Sequence, residues 1–500
     1  MRALMAADSS SPQRAGMRIT LAQVAAAVGG TLRPRPSGPE PDLLAPSGYS
    51  IDTRTLAAGD LFFAIVGPNH DGHKFLTMAA DKGALALVVS DAGALSGATA
   101  PSILVPDTLR ALQDLAAFAR RSLPARVVAI TGSNGKTTTK EMTRQVLEAA
   151  FKVHASRGNL NNLFGCPLAL LELNEQHQVS VLEMGMSYHG ELARLAEIAD
   201  PDIGILTNVS GAHLAHFEDL EDVASAKGEL FAGMRENSIG IFNNDDEMCR
   251  GIMSRFKGYS FTFGMERPAD LVATDYRLDG LDGSTFEARH VHNGGSRRVV
   301  VKTRFVGLHH VYNALAAMSA GYMLGIDLEA MASRLVLLQP VGMRGRVLRL
   351  GGSVRVLDES YNSNPASMRS TLQVLADMPP PPSRSADAAG PAETGAPGRR
   401  ILVFGDMLEL GETEVEQHRE MGQAIAGSGI DALIAVGSLA RETAAAAGGR
   451  IEIAHFDNAA AAARHVAEMA RPNDVFLVKG SRGMALEKVV AALQERFKEE

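Results

Sequence analysis

The sequence predicts an α/β protein of three domains: a small mixed α/β domain, a central P-loop-type domain on a mainly parallel sheet, and a C-terminal Rossmann-like domain. Three observations carry this prediction. The chain has 500 residues, room for about three domains at roughly 150 residues each. Short apolar runs alternate with amphipathic segments in two separate stretches, the pattern of strands covered by helices on both faces. A Gly-Lys-Thr-Thr sequence stands between one such run and a helical segment. The divisions fall at 1–16, a polar Ser/Ala/Pro-containing extension expected to be disordered, then 17–122, 123–340 and 341–500.

In the first domain, Thr20 is placed to cap a helix over 20–28. Strands follow over 47–51 and 60–65 around the turn at Ala58-Gly59, then a helix over 75–82 and a strand over 84–89. The central domain opens with a buried strand over 127–131. A helix over 137–150 follows, with Met142, Val146, Ala149 and Ala150 at helical spacing. Further apolar runs lie at 179–183, 203–207 and 239–243. The last stretch repeats the alternation with strands at 354–358, 401–404, 433–436 and 475–478, which predicts a second doubly wound domain. An insert at 379–400 is rich in Pro and Gly and contains no Ile, Val, Leu or Phe. It has too little apolar surface to order itself and is expected to be a mobile loop.

Composition excludes several classes. Hydrophobic residues make up 46% of the chain, enough to build real cores. The net charge of −8 argues against nucleic acid as a partner, which calls for a basic face. No apolar run is long enough to span a membrane, and the first residues lack the apolar core of a signal peptide. Cys166 and Cys249 cannot build a disulfide framework and suit a reducing compartment, so a cytoplasmic location is expected. Nothing demands an oligomer, and a monomer is expected.

The sharpest motif is Thr131-Gly132-Ser133-Asn134-Gly135-Lys136-Thr137-Thr138. It follows a strand and opens a helix, the context a phosphate-binding loop requires. Its glycines let backbone amides approach phosphate oxygens, and the helix N-terminus adds its positive dipole. Lys136 is placed to reach the outer phosphates and the Thr137 hydroxyl to ligate Mg2+. The common phosphate loop carries glycine where this chain has Ile130. This loop is therefore a shorter variant, unlike that of an ordinary GTPase.

That variant resembles the loop of the Mur ligase family, and the resemblance continues in order along the chain from about residue 45 to the end, outside the insert. Gly158-Asn159-Leu160-Asn161-Asn162 is similar to the family segment that meets ATP and the muramoyl substrate. Leu182-Glu183-Met184-Gly185 is similar to the strand end with a Mg2+ ligand. Thr207-Asn208-Val209-Ser210-Gly211-Ala212-His213 is similar to the segment with a metal-site histidine, and Ala226-Lys227-Gly228-Glu229-Leu230-Phe231 to the one whose lysine is carbamylated. His309-His310-Val311-Tyr312-Asn313-Ala314 is similar to the adenine-binding segment. Arg346 in Met343-Arg344-Gly345-Arg346, and Asp358 in Asp358-Glu359-Ser360-Tyr361-Asn362-Ser363-Asn364-Pro365, are similar to nucleotide contacts of the C-terminal domain. Asp358 also ends an apolar strand, where ligands of parallel sheets bind and where a carboxylate can accept ribose hydroxyls.

The resemblance implies an ATP-dependent ligase that activates a carboxylate as an acyl phosphate and then joins it to an amine. It implies ATP and two Mg2+ ions. Thr137 and Glu183 suit one hard ion with oxygen ligands. His213 and a carbamylated Lys227 would serve the second. Lys136, Glu183, His213 and Lys227 are thus the expected catalytic set. Taken singly, Glu183 reads as a helix cap, His213 as a hydrogen-bonded loop histidine and Lys227 as a solvated charge; beside the phosphate loop the functional reading prevails.

Within the family, the leading domain carries Ser50-Ile51-Asp52-Thr53-Arg54, Gly59-Asp60-Leu61-Phe62-Phe63-Ala64 and His70-Asp71-Gly72-His73-Lys74-Phe75, similar to the UDP-binding domain of the peptide-extending members. Ser50, Asp52, Thr53 and Arg54 are its candidate substrate contacts; alone, the Asp-Thr-Arg run reads as a salt-linked turn. Gly405-Asp406-Met407-Leu408-Glu409-Leu410-Gly411 and Lys479-Gly480-Ser481-Arg482-Gly483-Met484 are similar to the members that add a D-alanyl-D-alanine dipeptide. Asn161, Asn162, Asn362 and Ser481 complete the candidate substrate set. The implied substrates are UDP-N-acetylmuramoyl-tripeptide and D-alanyl-D-alanine. The competing readings are a diaminopimelate- or lysine-adding member, whose Asp-Asn-Pro-Arg type motif does not occur here, and a catalytically silent nucleotide-binding partner.

Overall fold

The computed structural model describes residues 16–34, 40–67, 70–95, 100–211, 217–292, 295–340, 342–378 and 398–498. Most of the extension at 1–16, most of the 379–400 insert, and His213 lie outside them.

The first sheet has the order β1-β5-β4-β3-β2, from β1 (Thr31–Arg33), β2 (Gly48–Ser50), β3 (Asp60–Phe63), β4 (Ala86–Val89) and β5 (Ser102–Leu104). Helices α1 (Leu21–Ala27), α2 (Leu76–Asp81) and α3 (Thr108–Arg121) accompany it. Thr20 caps α1 in a full capping box with Gln23, which satisfies amide protons that the first turn leaves bare. The strands flanking the Ala58-Gly59 turn pair in parallel, Gly48 opposite Asp60, so the turn closes a short crossover and not a hairpin. His73 ties this sheet together: its Nδ1 lies 2.8 Å from Asp71 and its Nε2 accepts the Ser90 amide at 3.0 Å.

The central sheet has nine strands in the order β14-β13-β12-β11-β10-β9-β6-β8-β7. They are β6 (Arg126–Thr131), β7 (Val153–Ala155), β8 (Val179–Glu183), β9 (Ile203–Leu206), β10 (Ile239–Asn243), β11 (Tyr259–Gly264), β12 (Leu271–Leu278), β13 (Ser284–His292) and β14 (Gly295–Thr303). Six of them run parallel at the phosphate-loop end, and β12 continues that sense. The antiparallel wing of β12, β13 and β14 was not foreseen. Its outer faces carry residues such as Arg297, Arg298 and Lys302, so it lacks the continuous apolar runs that mark strands buried on both faces. The helices are α4 (Lys136–Leu147), α5 (Gly165–Leu170), α6 (Glu191–Ala199), α7 (Leu220–Ala232), α8 (Glu247–Met253), α9 (Leu308–Met323) and α10 (Leu328–Leu335). Helix α4 stops at Leu147, short of the expected 150.

The third sheet has the order β15-β16-β20-β17-β18-β19, from β15 (Arg346–Arg349), β16 (Arg355–Glu359), β17 (Arg400–Gly405), β18 (Ala432–Val436), β19 (Glu452–Phe456) and β20 (Val475–Lys479). All pairings are parallel except β15 with β16. Helices α11 (Pro365–Asp377), α12 (Glu414–Gly427), α13 (Ala440–Ala447), α14 (Ala459–Met469) and α15 (Glu487–Arg496) cover it. The end of the expected loop is structured: Arg399 holds Asp474 at 2.8 Å and Arg400 begins β17.

The domains meet in two different ways. One hydrophobic core runs without a break from the first sheet through α3 (Leu112, Leu115, Ala116) to Val127, Leu182 and Leu195 of the central domain. At the same boundary the buried Arg120 donates to the carbonyls of Ala199 and Asp200 and pairs with Asp202 at 3.2 Å. The third domain has cores of its own, one of which takes in Leu281 and Val306 of the central domain together with Leu372 and Leu375 of α11.

Leu477 lies fully buried on β20, opposite Leu357 on one side and Leu402 on the other. Leu477→Ala is expected to cost about 2–5 kcal/mol through lost burial and a residual cavity, measured as a lower urea midpoint for unfolding of the third domain.

Candidate functional site

The site begins at the C-terminal end of β6, where parallel strands leave open backbone groups. Gly132 has φ +145, and a side chain there would meet the Thr207 hydroxyl at 2.0 Å; Gly135 has φ +80, and a side chain there would meet the Asn313 amide oxygen at 2.3 Å. Both positions demand glycine. The loop is braced from β9: Ser133 Oγ donates to the Ser210 carbonyl at 2.8 Å, and the Asn134 amide donates to Asn208 Oδ1 at 3.0 Å. Lys136 folds back on its own loop, donating to the carbonyls of Gly132 and Ser133 at 2.7 and 3.1 Å. These are the bonds it would exchange for phosphate oxygens.

A cavity of about 1040 Å3 opens over this loop, as large as the upper end of ordinary ligand sites. Glu183, at the end of β8, is only 2% exposed. Thr137 Oγ1 donates to its Oε2 at 2.8 Å, and Asn161 Nδ2 to its Oε1 at 2.8 Å. Hydroxyl and carboxylate oxygens thus converge beside the phosphate loop, the donor chemistry that hard cations such as Mg2+ select.

Lys227, on α7, is 2% exposed and lines the same cavity. Its ammonium has no hydrogen-bond or ion-pair partner among the described residues. Burial, then the charge of Lys136, hold it well below the ordinary lysine range. An amine so placed gives up its proton more readily than an exposed lysine, the neutral form is the one that adds to CO2, and the product carbamate would set a negative charge in place of a positive one near Lys136. The cavity therefore fits a carbamylated lysine; the position of His213 lies outside the described residues.

Of the other expected residues, Ser133, Asn134, Gly135, Thr138, Asn162, Asn313, Asn362 and Ser481 also line the cavity. Asn313 is already engaged at both ends of its amide, accepting from Thr139 Oγ1 at 3.2 Å and lying 3.3 Å from His310 Nδ1. It braces the loop at Gly135. Arg346 and Asp358 do not line the cavity. They sit opposite each other on β15 and β16, and Asp358 accepts from the Ser360 amide and hydroxyl at 3.1 and 2.6 Å. Burial raises its carboxyl pKa, against those bonds. Their neighbours Arg344 and Glu359 line the cavity instead. Successive strand residues face opposite sides, which separates Glu359 from Asp358 on β16, whereas Arg344 lies in the bend before β15 begins.

Three further cavity residues stood in quoted motifs without being singled out. Lys479 lies 3.5 Å from Glu359 and donates to the Asn362 carbonyl at 3.2 Å. Arg344 stacks over Tyr361 at 3.7 Å. His310, also enclosed, approaches Glu359 at 4.0 Å. Ser50, Asp52, Thr53 and Arg54 are not brought to the cavity. They form a turn after β2 in which Arg54 pairs with Asp52 at 2.5 Å and Lys82 donates to the Thr53 carbonyl at 2.7 Å.

The cavity wall at Ser187 and Tyr188 is held by the next residue. His189 lies between Asp222 (2.8 Å) and Glu229 (3.2 Å) of α7, with the Phe217 ring packed edge-on at 5.4 Å. The hydrogen bond to Asp222, then that to Glu229, raises the imidazole pKa above 6.5.

Three family models match the chain: the Mur ligase family catalytic domain over residues 47–120, the Mur ligase middle domain over 130–321, and the Mur ligase glutamate ligase domain over 343–482. The UDP-N-acetylmuramoyl-tripeptide–D-alanyl-D-alanine ligase of Bacillus subtilis is 32% identical over 486 residues, covering 95% of this chain and 98% of the relative. That of Escherichia coli is 35% identical over 452 residues, covering 89% and 93%. Among solved structures, MurF from Acinetobacter baumannii has a TM-score of 0.82 at 29% identity and covers 96% of this chain and 99% of that one. MurF ligase from Thermotoga maritima, solved in complex with ADP, has a TM-score of 0.78 at 27% identity, covering 91% and 99%.

A folded-state pKa raised above the unfolded value adds stability that is complete below the unfolded pKa and lost as pH rises through the folded one. For His189 the loss begins above pH 6.5. The Tm advantage of the wild type over His189→Gln should therefore shrink as the pH is raised from 6.5 through the folded-state pKa. A pH-independent difference would mean that the imidazolium pairs contribute nothing.

Proposed function

The chain belongs to the Mur ligase family, and from that premise we infer that its cavity joins D-alanyl-D-alanine to UDP-N-acetylmuramoyl-tripeptide, with ATP converted to ADP and phosphate. This places the protein in peptidoglycan precursor synthesis, acting in the cytoplasm as a monomer. The observation that carries the reading is the convergence of Lys136, the Thr137–Glu183 pair and Lys227 on one cavity whose far wall is the third domain.

In the first step an oxygen of the tripeptide carboxylate attacks the γ-phosphorus of ATP. The bond to the β-γ bridging oxygen breaks, leaving an acyl phosphate and ADP. Loop amides and Lys136 hold the phosphate oxygens, and the helix dipole of α4 favours their charge. Thr137 and Glu183 would hold one Mg2+, and His213 with carbamylated Lys227 a second; these ions neutralise crowded phosphate charge when bound. In the second step the dipeptide amine attacks the acyl carbon, loses a proton, and phosphate departs. Asn362 and Ser481 face the cavity from the third domain and are assigned to the dipeptide. Ser50, Asp52, Thr53 and Arg54 are assigned to the UDP end, and Asn161 and Asn162 to the region between. Arg344 and Glu359 take the nucleotide roles expected of Arg346 and Asp358. Closure of the third domain excludes water from an intermediate that water would destroy.

With ATP, Mg2+ and UDP-muramoyl-tripeptide, phosphate release should depend on D-alanyl-D-alanine and be matched by the mass of the pentapeptide product. Release that depends instead on a single amino acid and a shorter UDP-precursor would reassign the substrate within the family. No release with any pair would favour a silent nucleotide-binding partner.

Lys227→Ala should lose at least about a hundredfold in kcat, the scale of removing a group that stabilises transferring charge. Short-chain carboxylic acids should restore part of it by standing in for the carbamate. Failure of rescue in a folded variant would leave the carbamate without support.

A further inference from the structure

Asn364 caps α11 through its side-chain oxygen, which accepts the Ser367 amide proton at 2.9 Å. That bond fixes the orientation of the amide, because a backbone N–H can only donate. Asn364 Nδ2 is therefore a donor, and it donates across the domain boundary to Asn134 Oδ1 at 2.7 Å. Asn134 is the third residue of the phosphate loop between Gly132 and Gly135, and its other polar groups are all engaged. Its Nδ2 donates to Ser210 Oγ at 2.9 Å, its amide to Asn208, and its carbonyl accepts from Thr207 Oγ1 at 2.7 Å. A run of hydrogen bonds thus leads from the third domain, through the phosphate loop, to the segment after β9. The same end of α11 adjoins the dipeptide side of the cavity, where Ser481 Oγ donates to the Ser363 carbonyl at 3.3 Å.

We propose that Asn364 is a positioning residue that couples seating of the third domain to the shape of the phosphate loop, so that phosphate transfer proceeds with the amine site in place. The proposal rests on the ligase reading. Asn134 Oδ1 has its partner only while the third domain is seated. When that domain is away, the loop loses one anchor at the residue preceding Gly135 and Lys136. Any acyl phosphate formed in that state meets water: water attacks the acyl carbon, the bond to phosphate breaks, and the tripeptide carboxylate is regenerated with loss of one ATP.

The test is Asn364→Asp in the full-length enzyme. Aspartate keeps an acceptor for the Ser367 amide and is itself a good N-cap, but it has no donor for Asn134. Amide product and phosphate are measured together. Wild type should give one phosphate per amide bond; if it forms no amide, the ligase reading fails, and this proposal with it. The variant should form amide about three- to tenfold more slowly, as the loss of one hydrogen bond allows, with KM for the UDP-substrate unchanged and more than one phosphate released per amide. Ser367→Ala weakens the cap without touching the Asn364 donor and should stay coupled. Should the aspartate variant not fold, Asn364→Ser keeps a capping oxygen and serves in its place. One phosphate per amide at the wild-type rate, or equal uncoupling in Ser367→Ala, overturns the proposal.

Discussion

Three lysine side chains enclosed in one cavity, Lys136, Lys227 and Lys479, set the condition the rest of the structure has to meet. Each is displaced below the ordinary lysine range, chiefly by burial. The amino end of α4 points its positive dipole into the same space. Charges withdrawn from water without full compensation are costly, so the ligand-free site favours whatever anion arrives. Only a stiff frame can hold such groups in register. The frame here is the parallel trio β8, β6 and β9, from whose ends Glu183, the phosphate loop and Thr207 emerge side by side. Asn161 and Thr137 then orient Glu183, whose charge acts on Lys136.

The two domain boundaries divide rigidity from movement. The first domain and the central domain share one apolar core, cross-tied by Arg120 and by Arg194, which reaches Gln113 and Asp114. Sliding such a boundary would expose buried surface along its whole length. The third domain rests on a smaller apolar contact at α11 and on polar contacts: Asn364 with Asn134, Glu359 with His310, and Arg349 with Asp282. Polar pairs exchange with water at little net cost. The fold therefore binds the first domain tightly to the central domain and leaves the third domain free to separate.

What could be read from the sequence follows the range of the interactions involved. The phosphate loop, Glu183 and Lys227 were legible because each lies in a local motif whose strand or helix context fixes where it points. The parallel strands were legible because burial on both faces leaves apolar runs. The wing of β12, β13 and β14 was not, since its outer face is wet and its strands carry charged residues. Glu359 was missed in favour of Asp358 because facing along a strand is decided by the sheet that receives it, and Arg344 in favour of Arg346 because it lies in a bend before β15, where no strand period applies. Asp358 is as well buried as an active-site carboxylate, yet its bonds go to Ser360. The turn from Ser50 to Arg54 stays away from the cavity, held largely by its own ion pair and the lysine beside it. Asn364 was not singled out: it caps α11, and its second bond depends on a partner far away in sequence.

The shared core has a consequence for how the chain is made. Helix α3 presents Leu112, Leu115 and Ala116 to partners that include Leu182 and Leu195, which follow it out of the ribosome by many residues. At about 5–20 residues per second, the first domain waits for some seconds with one face of α3 uncovered. It cannot finish folding as an independent unit during that interval. Nascent chains of this protein should therefore pass through a stage in which an apolar helix face is available to chaperones, ended by emergence of β8 and α6. The third domain, whose cores are nearly all its own, needs no such delay and can fold as soon as its last strand, β20, is clear.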